Sequence, residues 1–126
     1  SNYPSVAWSP EQLGAAQYIS GTKGEVMDIA FPKVDPELDS RGIKELTYDV
    51  LIKIRELIKD EKGLPTHVYI HIMGEQSLSY ELILLCKAIG YNVVVSTTRR
   101  EVTEKILTNG EVEKRTIFKF VKFREV

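Results

Sequence analysis

Apolar residues recur at helical spacing in two parts of the chain. Between residues 40 and 62 they follow one another at intervals of three and four, which places them in one stripe along a helix. Residues 77–89 carry a shorter stripe of the same spacing, and Gly90 ends it. A third helix, over residues 10–20, is predicted from its start. Ser9 can cap it, Pro10 suits its first position, and Gln12 completes a capping box.

Three short runs rich in apolar residues predict strands. They cover residues 25–31, which Pro32 closes, and residues 66–73 and 92–97. The run 66–73 is apolar on both faces, which suits a central parallel strand. Because a helical stripe separates the last two runs, they predict a right-handed βαβ unit. The predicted fold class is therefore α/β, with a Rossmann-like, mostly parallel sheet flanked by helices.

The C-terminal part of the chain has a different pattern. An Asn109-Gly110 pair lies between two strand-like segments, residues 101–107 and 111–123, which is typical of a β-hairpin. We expect this antiparallel hairpin at the edge of the sheet, with lysines of its second strand in water. Three aromatic residues of that strand are candidates for the core, and the same strand could pack against a second copy in a homodimer. They are Phe118, Phe120 and Phe123.

Length, charge and cysteine content narrow the class of protein. The 126 residues fit a single α/β domain over 1–126, and the 17 basic and 18 acidic side chains give a net charge of −1. This balance argues against general nucleic-acid binding and against membrane binding, since both need a basic excess. The one cysteine, Cys86, lies in an apolar helix and fits a cytoplasmic protein. No apolar run approaches the roughly 20 residues of a membrane span.

Candidate chemistry lies where the predicted strands end. In an open α/β sheet, ligands bind beyond the carboxyl ends of the strands. The first candidate loop, from Gly74 to Ser77, leads into the start of a helix, whose free backbone amides attract anions. The second, from Ser96 to Arg100, offers three hydroxyls and two guanidiniums to a phosphate. The two loops should be neighbours in space, and their candidate ligand-binding residues are Gly74, Glu75, Gln76, Ser77, Ser96, Thr97, Thr98 and Arg99.

Each candidate also has a purely structural interpretation. Gly74 and Ser77 could simply end a strand and cap a helix, and the second loop could be a polar, solvated strand exit. Glu75 could be a general base or accept a hydrogen bond from a ribose hydroxyl, or it could interact with the helix dipole. His67 and His71 would lie roughly 13 Å apart on one strand, too far to share a metal ion. We therefore expect core or interface histidines there, and neither a metal site nor a cofactor site.

Three segments of the sequence are similar to a known family. Residues 70–77 form a strand, a glycine-containing loop and a helix start. Residues 94–99 form the strand exit, and residues 1–8 look like the loop that follows a first strand. Over residues 1–100 this arrangement resembles the CARF and ring-nuclease-like domains of CRISPR systems. Those domains often carry a Gly-Gly-Thr-Lys type of loop, whereas this chain has Gly74-Glu75-Gln76-Ser77 and lacks the lysine.

The resemblance implies a ligand and a cellular role. It implies a protein that binds cyclic oligoadenylates in antiviral defence, with metal-independent cleavage as an open alternative. In that case Ser96, Thr97 and Arg99 could position a ribose hydroxyl and its phosphate. The resemblance also implies a strand before residue 1. Either upstream residues are missing from this sequence or the C-terminal hairpin supplies an equivalent strand.

Three functions are therefore predicted. The first is binding, and as an extension cleavage, of a phosphate-bearing nucleotide at the strand ends. The second is a non-catalytic interaction or assembly domain, which predicts a shallow surface and a solvent-exposed Arg99. The third is a small-molecule enzyme with Glu75 as its base, which predicts a raised pKa for that carboxyl group in a closed pocket.

Overall fold

The computed structural model describes residues 4–20, 26–58 and 67–126. A short 3₁₀ turn, Ser5–Ala7, precedes the first helix. The remaining elements, in chain order, are α1 (Pro10–Ser20), α2 (Ser40–Ile58), β1 (Tyr69–His71), α3 (Gln76–Ile89), β2 (Asn92–Ile106) and β3 (Val112–Glu125).

The three strands form one mixed sheet in the order β1-β2-β3. β1 pairs with β2 in parallel, with Tyr69 opposite Asn92, and β2 pairs with β3 in antiparallel register. The predicted βαβ unit is confirmed as β1, α3 and β2. The predicted Rossmann-like, mostly parallel sheet is wrong, because the described residues contain only one parallel pair of strands.

Two strand boundaries explain this correction. Residues 26–31 of the predicted strand 25–31 belong to no strand, and Glu25 lies outside the described residues. The run 66–73 narrows to Tyr69–His71, and Thr66 is also outside the described residues. A strand exists only where a neighbour accepts its backbone hydrogen bonds, and residues 26–31 have no such neighbour among the residues that the structure describes. The predicted loop from Ser96 to Arg100 is wrong too, because β2 continues through it to Ile106.

The predicted helices are confirmed, with local corrections. At the start of α1, the backbone N–H of Gln12 donates a hydrogen bond to Ser9 Oγ (3.2 Å). Residues 59–62 of the second predicted helix lie outside the described residues. α3 is capped by Glu75 and not by a serine. It ends at Gly90, whose φ of 104° lies in the left-handed region that favours glycine.

The sheet carries a hydrophobic cluster on each face. Side chains alternate along β2, so Val93 packs with α2 and α3, whereas Val94 packs with Trp8 and with residues of α1. Phe123, opposite Ser96, joins the cluster on the α1 side, and Phe120 packs against it. Phe118 was also predicted to be in the core. This prediction is wrong, because its side chain is exposed.

β2 and β3 extend beyond the rest of the molecule as a two-stranded ribbon. β1 pairs with β2 only at the beginning of β2, up to Val94, whereas the pairing of β2 with β3 continues to Ile106 and Val112. The predicted hairpin and its turn are therefore confirmed. We call residues 98–106 and 112–120 the arm.

Candidate functional site

An apolar cavity of about 280 Å³ lies beside β1. One wall is β1 itself, and the opposite wall is the segment 26–31 that was predicted to be a strand. Side chains of α1 and α2 close the remaining sides. Five aromatic rings contribute to the lining, and they belong to Trp8, Phe31, Tyr69, His71 and Phe123. The cavity is close to the size at which pockets bind small organic molecules.

The outer edge of β1 faces this side of the molecule, and no described residue pairs with it as a strand. β1 is the terminal strand of the sheet, and residues 26–31 form no ladder with it. In a parallel pair, alternate residues direct their N–H and C=O groups to the same side. Ile72 donates its N–H to Val94 on β2, so Tyr69 and His71 direct theirs away from β2. The cavity therefore has a row of backbone donors and acceptors along one wall.

Three side chains from distant parts of the sequence form a hydrogen-bonded row at the end of β1. The side-chain amide of Gln12, on α1, donates a hydrogen bond to Ser96 Oγ at 3.1 Å. Ser96 Oγ lies 2.7 Å from Nε2 of His71. Since the serine oxygen accepts from Gln12, its own proton can go to the imidazole. This row fixes the position of the His71 ring at the wall of the cavity.

His71 is held as a neutral imidazole. Trp8 and Phe123 contact its ring edge to face, with ring centroids 5.2 and 5.4 Å away. Burial among these rings lowers the pKa of His71 from 6.5 to about 4, since it disfavours the charged form. Nδ1 of this ring is buried and has no hydrogen-bond partner among the described residues. A buried polar atom without a partner is uncommon and marks a place where a ligand atom can be accepted.

One carboxylate belongs to the lining of the cavity. Asp28 accepts hydrogen bonds from the backbone N–H of Ser5 (3.0 Å) and from its hydroxyl (2.5 Å). These two bonds tie the segment 26–31 to the turn before α1. The described lining contains no lysine and no arginine.

At the first predicted loop, residues 74–77, other groups of the protein occupy the positions that a ligand would take. Glu75 accepts hydrogen bonds from the backbone N–H groups of Ser77 (3.1 Å) and Leu78 (2.8 Å). These bonds lower the pKa of Glu75, so the raised pKa expected for a catalytic base is wrong. The ring of Phe31 lies directly against Gly74, where a Cβ atom would overlap it. Gln76 and Ser77 are exposed in the first turn of α3.

The second predicted loop is divided between the two faces of β2. Ser96 and Thr98 are on the α1 side, and Ser96 reaches the row beside the cavity. Thr97 is on the other side, where its hydroxyl bonds the backbone of Lys122. Arg99 is exposed there, opposite Lys119. The structure therefore brings Ser96 to the site and leaves Thr97 and Arg99 away from it. Whether any of the eight residues binds a ligand stays a prediction.

Sequence reasoning missed most of the cavity. Gln12 was read as part of a capping box, but its side chain bonds Ser96, 84 residues away. Phe31 and Asp28 were placed in a strand, and no local signal marks them as a cavity wall. The predicted position of His71 in a buried strand was the available signal, since a buried imidazole needs a polar partner.

The fold and site define a class: a small α/β domain with a three-stranded mixed sheet, a protruding hairpin and an apolar cavity at the open sheet edge. Within that class, the chain belongs to the uncharacterized protein MJ1673 family, whose family model matches residues 1–124. No curated protein and no solved structure matches the chain. The family match does not connect the chain with CARF domains or CRISPR systems, so that resemblance stays a prediction.

Two features are absent from the residues that the structure describes. None of the helices in that part of the chain is long and apolar enough to cross a bilayer. The same part contains no group of three or more histidine, cysteine, aspartate or glutamate side chains that could hold a metal ion.

Proposed function

We propose that this chain binds a nucleotide by enclosing its base in the cavity beside β1. The observation that carries the proposal is a cavity that combines aromatic rings with a strand edge to which no described residue is paired. A nucleobase is a planar ring that stacks on aromatic side chains and carries hydrogen-bonding atoms along its edge. The outward N–H and C=O groups of Tyr69 and His71 can meet such an edge, and Nδ1 of His71 adds one further polar atom.

The charge of the cavity decides which end of the nucleotide enters. Phosphate needs cationic or amide donors. The described lining offers the carboxylate of Asp28 and no cation, and Glu75 already occupies the amides at the start of α3. The base therefore enters, and the phosphates stay outside the cavity. This proposal differs from the hypothesis based on the sequence, in which Gly74 and the hydroxyls of β2 held the phosphates.

The single tryptophan provides a direct test. Trp8 lines the cavity, so an entering base should quench its fluorescence to a saturable end point. The probes are adenosine, AMP and cyclic tetra-adenylate. We expect all three to saturate the signal, and His71→Gln to weaken binding about tenfold. His67→Gln, at the exposed second histidine, is the matched control and should bind like the wild type. No saturable quenching and no heat of binding with any probe would refute the proposal.

The probes also separate the two ends of the nucleotide. If adenosine and AMP bind equally, the base supplies the affinity, as proposed. If only the phosphate-bearing probes bind and Arg99→Ala abolishes their binding, the phosphate site on β2 is the correct interpretation instead. Cleavage of cyclic tetra-adenylate would show up in the same samples as linear products.

A second candidate function is supported by a specific observation. Aliphatic side chains line the cavity from both β1 and the segment 26–31, and the edge of β1 between them is open. An extended apolar segment could pair with that edge, which is the strand-addition mode of peptide recognition. The chain would then be an interaction module, and an exposed Arg99 agrees with that hypothesis.

A peptide distinguishes this second function from the first. The probe has about eight residues in which valine alternates with threonine. Strand addition predicts that it quenches Trp8 and protects the Tyr69 and His71 amides from hydrogen exchange. A control peptide of the same composition with two central prolines should do neither. If the peptide fails and adenosine binds, the strand-addition function is excluded.

A further inference from the structure

We infer that the arm joins two copies of this chain, packed face to face with the arms antiparallel. This inference does not depend on the occupant of the cavity. One face of the arm carries the four side chains Val102, Ile106, Val112 and Phe118, which are 52%, 77%, 54% and 66% exposed.

The register shows that these four side chains share one face. Residues directly opposite each other in an antiparallel pair point to the same side of the sheet. Phe118 lies opposite Arg100, and Val112 lies opposite Ile106. Arg100, Val102 and Ile106 are separated by even numbers of residues, so they point the same way. The opposite face of the arm is charged, with ion pairs between Lys119 and Glu101 (3.0 Å) and between Arg115 and Glu113 (3.2 Å).

The apolar face of the arm continues the core. Ser96 and Thr98 lie on the same side of β2 as the four residues, and Phe123 and Phe120 are their partners on β3. These two phenylalanines pack in the cluster under α1. The sheet face that α1 covers in the body of the molecule is therefore the face that the arm leaves exposed. An isolated two-stranded ribbon with such a face is marginally stable in water.

The exposed area matches a self-association surface. The four side chains expose roughly 400 Å², the order of the largest apolar patch on a typical monomer. One partner in a stable interface buries about 800 Å² in all. In each copy, the patch together with the polar side chains of the same face approaches that size. The partner that offers a matching apolar ribbon of equal length is a second copy of this chain.

Packing decides the relative direction of the two arms. α1 lies on this face at the body end of the sheet, and a helix is about 10 Å thick, as is the gap between packed sheets. If the arms ran parallel, the two α1 helices would occupy the same space. In the antiparallel arrangement, each arm tip lies near the α1 helix of the other copy.

The charges on this face agree with the antiparallel arrangement. A twofold axis at Val102 places Arg100 of one copy over Glu104 of the other, twice in each dimer. Because Phe118 lies opposite Arg100 and Lys114 opposite Glu104, the same axis places the Phe118 ring over the Lys114 ammonium of the other copy, which is a cation–π pair. Arg100 and Glu104 are both on the apolar face, and Glu104 also contacts Lys114 of its own chain at 3.7 Å. Two symmetric opposite-charge contacts favour this register over a shifted one.

Sedimentation equilibrium with charge-reversal variants tests the inference. We expect the wild type to dimerise, and Arg100→Glu and Glu104→Arg each to weaken dimerisation at least tenfold, because each creates two like-charge contacts. An equimolar mixture of the two variants should recover wild-type affinity as a heterodimer. Arg99→Glu is the matched control. It makes the same change one residue away on the opposite face, and it should dimerise like the wild type.

Three outcomes would overturn the inference. A wild type that is monomeric at about 200 μM would exclude a dimer of the expected strength. Equal weakening by Arg99→Glu and Arg100→Glu would show that the other face, or general charge, is responsible. Failure of the mixture to recover would exclude the antiparallel register. Circular dichroism of each variant is the control that the hairpin is still folded. Phe118→Glu, which places a carboxylate opposite Arg100, provides an independent variant that should also remain monomeric.

Discussion

Replacing His71 with glutamine should reduce the stability that the folded protein loses between pH 8 and pH 5. His71 is buried among Trp8 and Phe123 and bonded to Ser96. Burial holds its pKa at about 4 in the folded state, compared with 6.5 in the unfolded chain. The unfolded state therefore binds a proton at higher pH than the folded state does. The folded state is most stable above pH 6.5, and this stability is lost as the pH falls from 6.5 towards 4.

The size of the effect follows from the two pKa values. Between about pH 8 and pH 5, the unfolded histidine becomes almost fully protonated while His71 in the folded protein stays mostly neutral. The loss in free energy of unfolding from this one residue is about 2 kcal/mol. Glutamine at position 71 can still donate to Ser96 but does not titrate.

Urea unfolding at the two pH values measures this difference. The wild type should lose about 2 kcal/mol more than His71→Gln between pH 8 and pH 5. Substitution of the exposed His67 by glutamine is the control, and that variant should lose as much as the wild type. NMR titration of the folded protein should give the His71 ring a pKa near 4. Equal losses in the wild type and His71→Gln, or a His71 ring that titrates near 6.5, would refute the assignment of this histidine as buried and neutral.

Three further predictions concern the loop before α3 and the helix itself. Gly74→Ala should destabilise the protein by about 1–3 kcal/mol in urea unfolding, because the added Cβ overlaps the ring of Phe31; a similar loss in a Phe31→Ala background would contradict this. Glu75→Ala should lower stability near neutral pH, and the deficit should shrink as acid protonates the wild-type carboxyl, whose pKa lies below its usual value; an equal deficit at all pH values would disprove a carboxylate cap. Cys86 is buried and burial raises its pKa to about 11, so a thiol reagent should react with it only after unfolding; rapid labelling of the native protein would show that this part of α3 opens.

Local patterns predicted the elements that stabilise themselves locally. The stripe along α2, the start of α1 at Ser9 and the turn at Asn109-Gly110 depend on residues that are close in the sequence. The predicted βαβ unit was also correct, because its strand, helix and strand follow one another directly. In each of these features, the local sequence preference agrees with the final structure.

The errors arose where a neighbouring element decides the structure. The run 25–31 has strand-like residues, but without a paired neighbour in the described part of the chain residues 26–31 do not form a strand. The polar stretch from Ser96 to Arg100 was predicted to be a loop because a buried strand cannot carry it. In the structure β2 continues through this stretch, and residues 98–100 lie in the exposed arm, where polar side chains can face water. The row from Gln12 to His71 spans parts of the chain that no local window includes.

The register shift between Thr97 and Thr98 affects more than the local ladder. Thr97 lies opposite Lys122 and Thr98 opposite Phe120, so Val121 is the extra residue on β3. Two residues three apart in a regular strand point in opposite directions, yet Phe120 and Phe123 both reach the cluster under α1. The extra residue makes this possible, and such insertions also bend and twist a strand. The angle at which the hairpin leaves the body is therefore adjustable at one position: shortening β3 by Val121 would keep the inward-facing side chains inward while redirecting everything beyond them.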